Sequence, residues 1–120
     1  MTERSAVLLD AGEIAPAIDR AHLRAMTLDD ARLEREVLQL FDRQAANFVA
    51  RMQHAAPDAI YAMAHALKGS ARGIGAFAIA HAAEAVEQAA RKNEICAAAL
   101  GTLAAAVART RVAIAQVLQA

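Results

Sequence analysis

His65 is followed by a lysine three residues on, Lys68, and by a glycine four residues on, Gly69. On a helix these are the two positions that meet residue 65 from the next turn. A neutral imidazole facing solvent is a competent nucleophile at physiological pH. If it accepts a phosphoryl group, the product carries new negative charge. An ammonium at Lys68 then stabilises that charge and the transition state leading to it. Lys68 is also expected to disfavour the protonated ring by like-charge repulsion, keeping the attacking nitrogen free. Gly69 removes a side chain beside the ring, so that a phosphoryl donor can approach in line. In mid-helix a glycine is otherwise a cost. Arg72 extends the basic strip by one more turn.

This chemistry requires the segment AHALKGSARGIGA, Ala64 to Ala76, to be helical. Its second half, GSARGIG, resembles the glycine-rich phosphate loop of short-chain dehydrogenases. That loop needs a strand before it and a helix after it, so that the phosphate meets backbone N–H groups at the helix start. The preceding DAIYAMAHAL is alanine-rich and helix-periodic, and the one tyrosine, Tyr61, comes before the glycines. No stretch supplies a parallel sheet. Taken instead as a helix turning about 100° per residue, the segment puts Ile60, Ala64, Leu67, Ala71 and Ile74 on one face. His65, Lys68, Gly69, Arg72 and Ala76 fall on the other, with Tyr61 beside them.

The flanking sequence reads as further helices. Residues 1–11 are expected to be a flexible lead-in, and 12–120 a single domain. AGEIAPAIDRAHLRAM suits a short helix, with Pro16 tolerated only near its first turn. TLDD offers a start for the next, capped by Asp29 or Asp30. ARLEREVLQLFDRQAANFVARMQHA is then amphipathic, with Leu33, Val37, Leu40, Phe41, Phe48 and Met52 at helical spacing. Pro57 and Asp58 restart the pattern, and Gly73 and Gly75 are expected to end it near Ala76. FAIAHAAEAVEQAARKNE closes in Arg91, Lys92 and Asn93. ICAAALGTLAAAVARTRVAIAQVLQA forms the last helix, with Gly101 inside it.

Composition agrees. Apolar residues make up 58% of the 120 and aromatics only 3%, with alanine dominant. Alanine is the best helix former because it loses no side-chain entropy on folding. Short connections between long helices favour antiparallel neighbours in a bundle, so an all-α chain is expected. Thirteen basic and thirteen acidic residues cancel, leaving no electrostatic footprint for nucleic acid. Charges are expected to interrupt every apolar stretch before it spans a membrane. The first residues lack the pattern of a signal peptide. One cysteine, Cys96, forms no internal disulfide, so a cytoplasmic setting is expected.

At this point the chain resembles a known family. His65-Ala66-Leu67-Lys68-Gly69-Ser70-Ala71, followed by Gly75-Ala76, is similar to the motif of histidine phosphotransfer (HPt) domains, roughly H-x-L-K-G-S-[SA]-x-x-x-G. TLDDARLEREVLQLFDRQAANFVARM resembles the family's preceding helix and AHAAEAVEQAARK its next one. The likeness covers roughly residues 22–118.

The resemblance implies an all-α, antiparallel four-helix bundle, here with a short extra N-terminal helix, that passes phosphoryl groups between receiver-domain aspartates in a phosphorelay. It implies phosphorylation of His65 on the ring nitrogen farther from the backbone, with Lys68 stabilising charge and Gly69 giving access. Ser70 matches the motif and lies near the core edge, as a packing or ring-orienting residue. Arg72 stands at a variable family position, so its role rests on geometry alone. Response-regulator receiver domains or a hybrid histidine kinase are the implied partners, with Mg²⁺ on the receiver's side. No cofactor or metal site is expected here, nor ATP-dependent kinase activity. A monomer is expected to dock through Tyr61, Ala62, Ala66, Gly69, Ala76 and nearby residues of the preceding helix, by a modest, transient interface. The competing reading is a non-catalytic helical adaptor that keeps the bundle without the chemistry.

Other residues carry blander expectations. His22, His54 and His81 read as surface or packing residues, and no two histidines have the helical spacing of metal ligands. Arg32, Glu34, Arg35 and Glu36 read as a solvated face with local ion pairs. Cys96 reads as a small buried hydrophobe. Met63, Phe41, Phe48 and Phe77 read as core, with Phe77 bordering the docking surface.

Overall fold

A computed structural model of the chain describes residues 17–94 and 97–119. The lead-in, Pro16 and Cys96 lie outside the described residues. Five helices and no strand occur among those described.

Each helix begins and ends for a local reason. Asp19 caps the first, α1 (Arg20–Met26), by accepting a hydrogen bond from the His22 backbone N–H at 3.0 Å. Asp30, one of the two candidate caps, starts α2 (Ala31–Met52) by accepting from the N–H groups of Arg32 and Leu33, both at 3.0 Å. Its neighbour Asp29 takes the left-handed conformation in the turn, at φ +60°. α3 (Pro57–Ile74) opens on Pro57, whose missing N–H is no loss in the first turn. α4 (Phe77–Arg91) and α5 (Ala97–Gln119) follow.

Gly75 separates α3 from α4, and two independent constraints require glycine there. Its φ is +85°, and a Cβ on it would stand 2.9 Å from the Asp19 carbonyl oxygen. The Asp19 N–H in turn donates to the Gly75 carbonyl at 2.9 Å. The glycine thus stops α3 and seats the start of α1. Gly73, expected to help end α3, lies within it instead.

α3 packs most extensively on α4, α4 on α5, α5 on α2 and α2 on α3, while α1 rests on α3. The expected inner face of α3 is buried throughout: Ile60, Ala64, Leu67, Ala71 and Ile74, with Met63. The inner stripe of α2 is rotated from the expected one. Leu38, Phe41, Ala45 and Met52 are buried, Val37 and Phe48 are half-buried, and Leu33 and Leu40 are 40% and 61% exposed. The helical period explains this: Leu40 is two residues from Leu38, so it turns to the far side of the stripe.

α5 also departs from expectation. Arg109 and Arg111 are its only charges, and by length and composition it is apolar enough to cross a membrane. Alanine supplies much of that apolarity. In the fold α5 lies on α2 and α4, burying Leu103, Ala106, Val107, Thr110 and Ile114.

Candidate functional site

The α3–α4 pair carries a ladder of polar contacts on its outer seam. Descending α3 from Arg72 to Tyr61 meets α4 rising from Glu84 to Arg91, so the two helices run antiparallel. Arg72 Nη2 donates to Glu84 Oε1 at 3.2 Å. Lys68 Nζ stands 2.7 Å from Glu87 Oε1, and His65 Nδ1 stands 3.0 Å from Glu87 Oε2. Arg91 Nη2 donates to the Tyr61 hydroxyl at 3.2 Å. His65 sits mid-ladder with its side chain 63% exposed.

Glu87 is the group that organises this seam, and it is almost fully buried. Its carboxylate is shared between two residues one turn apart on α3. The Lys68 contact to Oε1 is an ion pair without aligned hydrogen-bond geometry, whereas Oε2 faces the imidazole nitrogen directly. Burial pushes the Glu87 carboxyl up, but the Lys68 ammonium and the His65 ring more than offset this and hold it below its ordinary 4.5. An ionised Glu87 accepts only. The proton in its contact with His65 therefore belongs to Nδ1, so that in the neutral ring Nε2 is the nitrogen with a free lone pair.

Sequence reasoning did not single out Glu87. A signal was present: Ala80, Ala83, Glu87 and Ala90 follow helical spacing, and all four are buried. An acid on that inner stripe must find partners, because burying an unpaired charge is costly.

The other expected residues divide. Gly69 is exposed, and a Cβ built on it meets no atom within 4 Å. The protein's own packing therefore does not demand a glycine at 69. Ala62 and Ala66 are exposed on the same helix, and Tyr61 is half-buried with its ring near His65. Lys68 is close to His65, but its ammonium is engaged by Glu87 and its side chain is only 16% exposed. The picture of a lone cation beside the ring is thus incomplete, since a carboxylate bridges the two. Arg72 is likewise engaged, by Glu84. Ser70 turns toward α2, lining a groove of about 210 Å³ with Val37, Leu40, Phe41, Gln44 and Ile74.

Ala76 is a correction. It was expected on the exposed face, and it is fully buried. α3 ends at Ile74, so Ala76 belongs to the turn and precedes α4 as its N-cap, where the wheel of α3 no longer applies. Phe77 is 45% exposed rather than core, its ring set edge-on to His22 at 5.3 Å. His54 and His81 are exposed. Among the described residues, no group of three His, Cys, Asp or Glu side chains gathers as a metal site would need.

Comparison with known proteins agrees with this geometry. The model of the Hpt domain matches residues 22–113. The chain belongs to the Hpt domain family, whose members carry out histidine phosphotransfer in phosphorelays and interact there with receiver domains and kinases. A search of curated proteins finds no match. Among solved structures, the fold is similar to that of histidine-containing phosphotransfer protein B (HptB) from Pseudomonas aeruginosa PAO1. The TM-score is 0.81 at 21% identity, over 88% of this chain and 97% of that one.

Proposed function

We propose that His65 is the phosphoacceptor of this chain and that it relays a phosphoryl group from one receiver aspartate to another. The observation that carries the reading is the pairing of His65 Nδ1 with the buried Glu87 carboxylate on an otherwise exposed ring. In the forward step the Nε2 lone pair attacks phosphorus. The N–P bond forms as the bond to the aspartate oxygen breaks, and the carboxylate leaves with that electron pair. The ring gains positive character as it does so, and Glu87 stabilises it through the Nδ1 proton. The second transfer reverses these bonds onto another receiver.

Lys68 supplies the cation for the phosphoryl oxygens, turning from Glu87 when the phosphoryl group arrives. Gly69 supplies access. Docking uses Tyr61, Ala62 and Ala66 with the groove at Ser70 and the exposed Leu40, which together give a small, partly apolar surface suited to a transient partner. Mg²⁺ comes with the receiver, and the chain has no ATP-dependent kinase activity of its own. We further read residues 12–120 as one cytoplasmic, monomeric domain. Helices α2 to α5 form its antiparallel four-helix bundle and α1 its extra N-terminal helix, a reading supported by the closed order in which the four pack.

The test mixes a phosphorylated receiver domain with the wild type and with His65→Gln. Acid-labile, alkali-stable label on the wild type alone is expected. No label on the wild type from several competent receivers would return the chain to the adaptor reading.

A further inference from the structure

A single hydrogen bond to Nδ1 selects the tautomer of His65, but it leaves a largely exposed ring free to swing about that contact. A second restraint lies on the ring's face. Tyr61, one turn earlier on α3, holds its ring within 13° of parallel to the imidazole, with centroids 6.1 Å apart. That separation is within the range of offset aromatic stacking. Tyr61 is itself anchored. Its ring is half-buried and packs on the hydrophobic core. Its hydroxyl accepts from Arg91, whose guanidinium carbon is 5.6 Å from the tyrosine ring centroid. Arg91 stands one helical turn beyond Glu87 on α4, so one helix supports the imidazole twice: directly at Nδ1, and through Tyr61 at its face.

We propose that Tyr61 is a positioning residue for the phosphoacceptor, held in place by Arg91, and not only part of a docking surface. It flanks one face of the imidazole and restricts the rotation that the Glu87 contact allows. Nε2 then stays presented toward the arriving phosphorus. A nucleophile held near its attack geometry gains rate without any new contact to the donor. This inference rests on His65 being the phosphoacceptor.

Two donors separate positioning from docking. One is a phosphorylated receiver domain, which must dock. The other is phosphoramidate, a small molecule that needs no interface. With phosphoramidate, Nε2 forms the N–P bond, the donor's own P–N bond breaks, and ammonia leaves. Tyr61→Ala is expected to slow labelling from both donors by a similar factor, about tenfold. Tyr61→Phe keeps the ring and loses only the Arg91 hydrogen bond, so it is expected to stay within about threefold of wild type. Arg91→Gln is expected to fall between them with both donors. In ¹⁵N spectra, Tyr61→Ala should leave the Nδ1–H tautomer in place while exchange broadening of the His65 ring signals increases.

Tyr61→Ala slowed with the receiver alone would make Tyr61 a docking residue and overturn the proposal, as would wild-type rates with both donors. If Tyr61→Ala fails to fold by circular dichroism, Arg91→Gln decides, because its exposed side chain is no part of the core. Slowing with both donors then supports the proposal, and slowing with neither overturns it. His65→Gln runs alongside: label on that variant would sink the phosphoacceptor assignment itself, separately from the role of Tyr61.

Discussion

Two of the helix seams bridged by an acid and a base differ in what the acid has left over. Across α2 and α5, Arg111 meets Asp42 with Nε at 2.8 Å from one carboxylate oxygen and Nη2 at 3.3 Å from the other. Both partners are partly exposed, and the fork satisfies the carboxylate on its own. Across α3 and α4, Glu87 is buried and divided between an ammonium and an imidazole. A pair that satisfies itself ties two helices together. A carboxylate shared between a cation and an exposed imidazole also fixes which way that ring faces. The two seams look alike as ion pairs, and only the sharing and the burial separate a strut from a site.

The largest effect should come from removing the shared carboxylate. Glu87→Ala leaves the largely buried Lys68 side chain without its carboxylate partner and the His65 ring without its Nδ1 acceptor. We expect a loss of about 2 kcal/mol in stability and a fall in transfer rate of at least tenfold, equivalent to roughly 1.4 kcal/mol in the barrier. Glu87→Gln keeps an oxygen for Nδ1–H but removes the charge, so its transfer should lie between wild type and Glu87→Ala. Denaturant melts and label-transfer rates measure the two effects. Equal rates for all three proteins would reduce Glu87 to a strut like Asp42.

The same carboxyl gives a pH signature with a definite sign. Its value is lowered in the folded protein, by Lys68 and His65 on α3 acting against burial. A lowered carboxyl contributes stability that is fully present above its unfolded value and is lost as pH falls through the folded one. The stability difference between wild type and Glu87→Gln should therefore hold steady above the ordinary 4.5 and shrink below it. A difference that grew on acidification would contradict the assignment of the charge.

A smaller effect sharpens the contrast within α3 itself. Gly69 and Gly73 are both helical, and a Cβ on either meets nothing within 4 Å. Alanine at either position should stabilise the helix by about 1 kcal/mol. Only Gly69 is a direct helical neighbour of His65, so only Gly69→Ala should also slow transfer, by a few-fold, and Gly69→Phe more. Thermal melts beside transfer assays read both quantities. Equal transfer by wild type and Gly69→Phe would end the access argument.

Much of this was legible from the residues. The helical period of IYAMAHALKGSARGI fixes its buried and exposed faces, and Pro57 and Gly75 mark its ends by backbone chemistry alone. The placing of His65, Lys68 and Gly69 next to one another follows from spacing within one helix. What spacing in one helix cannot give is a partner from another. Glu87 and Arg91 stand 22 and 30 residues from the groups they touch, and the register of α4 against α3 decides those contacts. Ala76 differs for the reverse reason: α3 stops at Ile74, so its helical period no longer sets which way Ala76 faces. Leu33 and Leu40 failed because α2 has more apolar residues than one stripe holds, and only packing chooses among them.

The smallest effect belongs to the seam that serves as the reference. Arg111→Ala removes an exposed pair, with the arginine side chain 47% and the aspartate 26% exposed. Solvent screening and side-chain entropy hold the contribution of such pairs to about 1 kcal/mol or less, and the fork geometry places this one toward the upper end. Transfer should be unchanged, since α5 contributes no residue to the His65 seam. Asp42→Ala should behave alike, and the double variant should lose little more than either single one, because both remove the same interaction. A slowed transfer in these variants would mean that the bundle communicates strain from α2 and α5 to the imidazole, and the division into strut and site would then be one of degree.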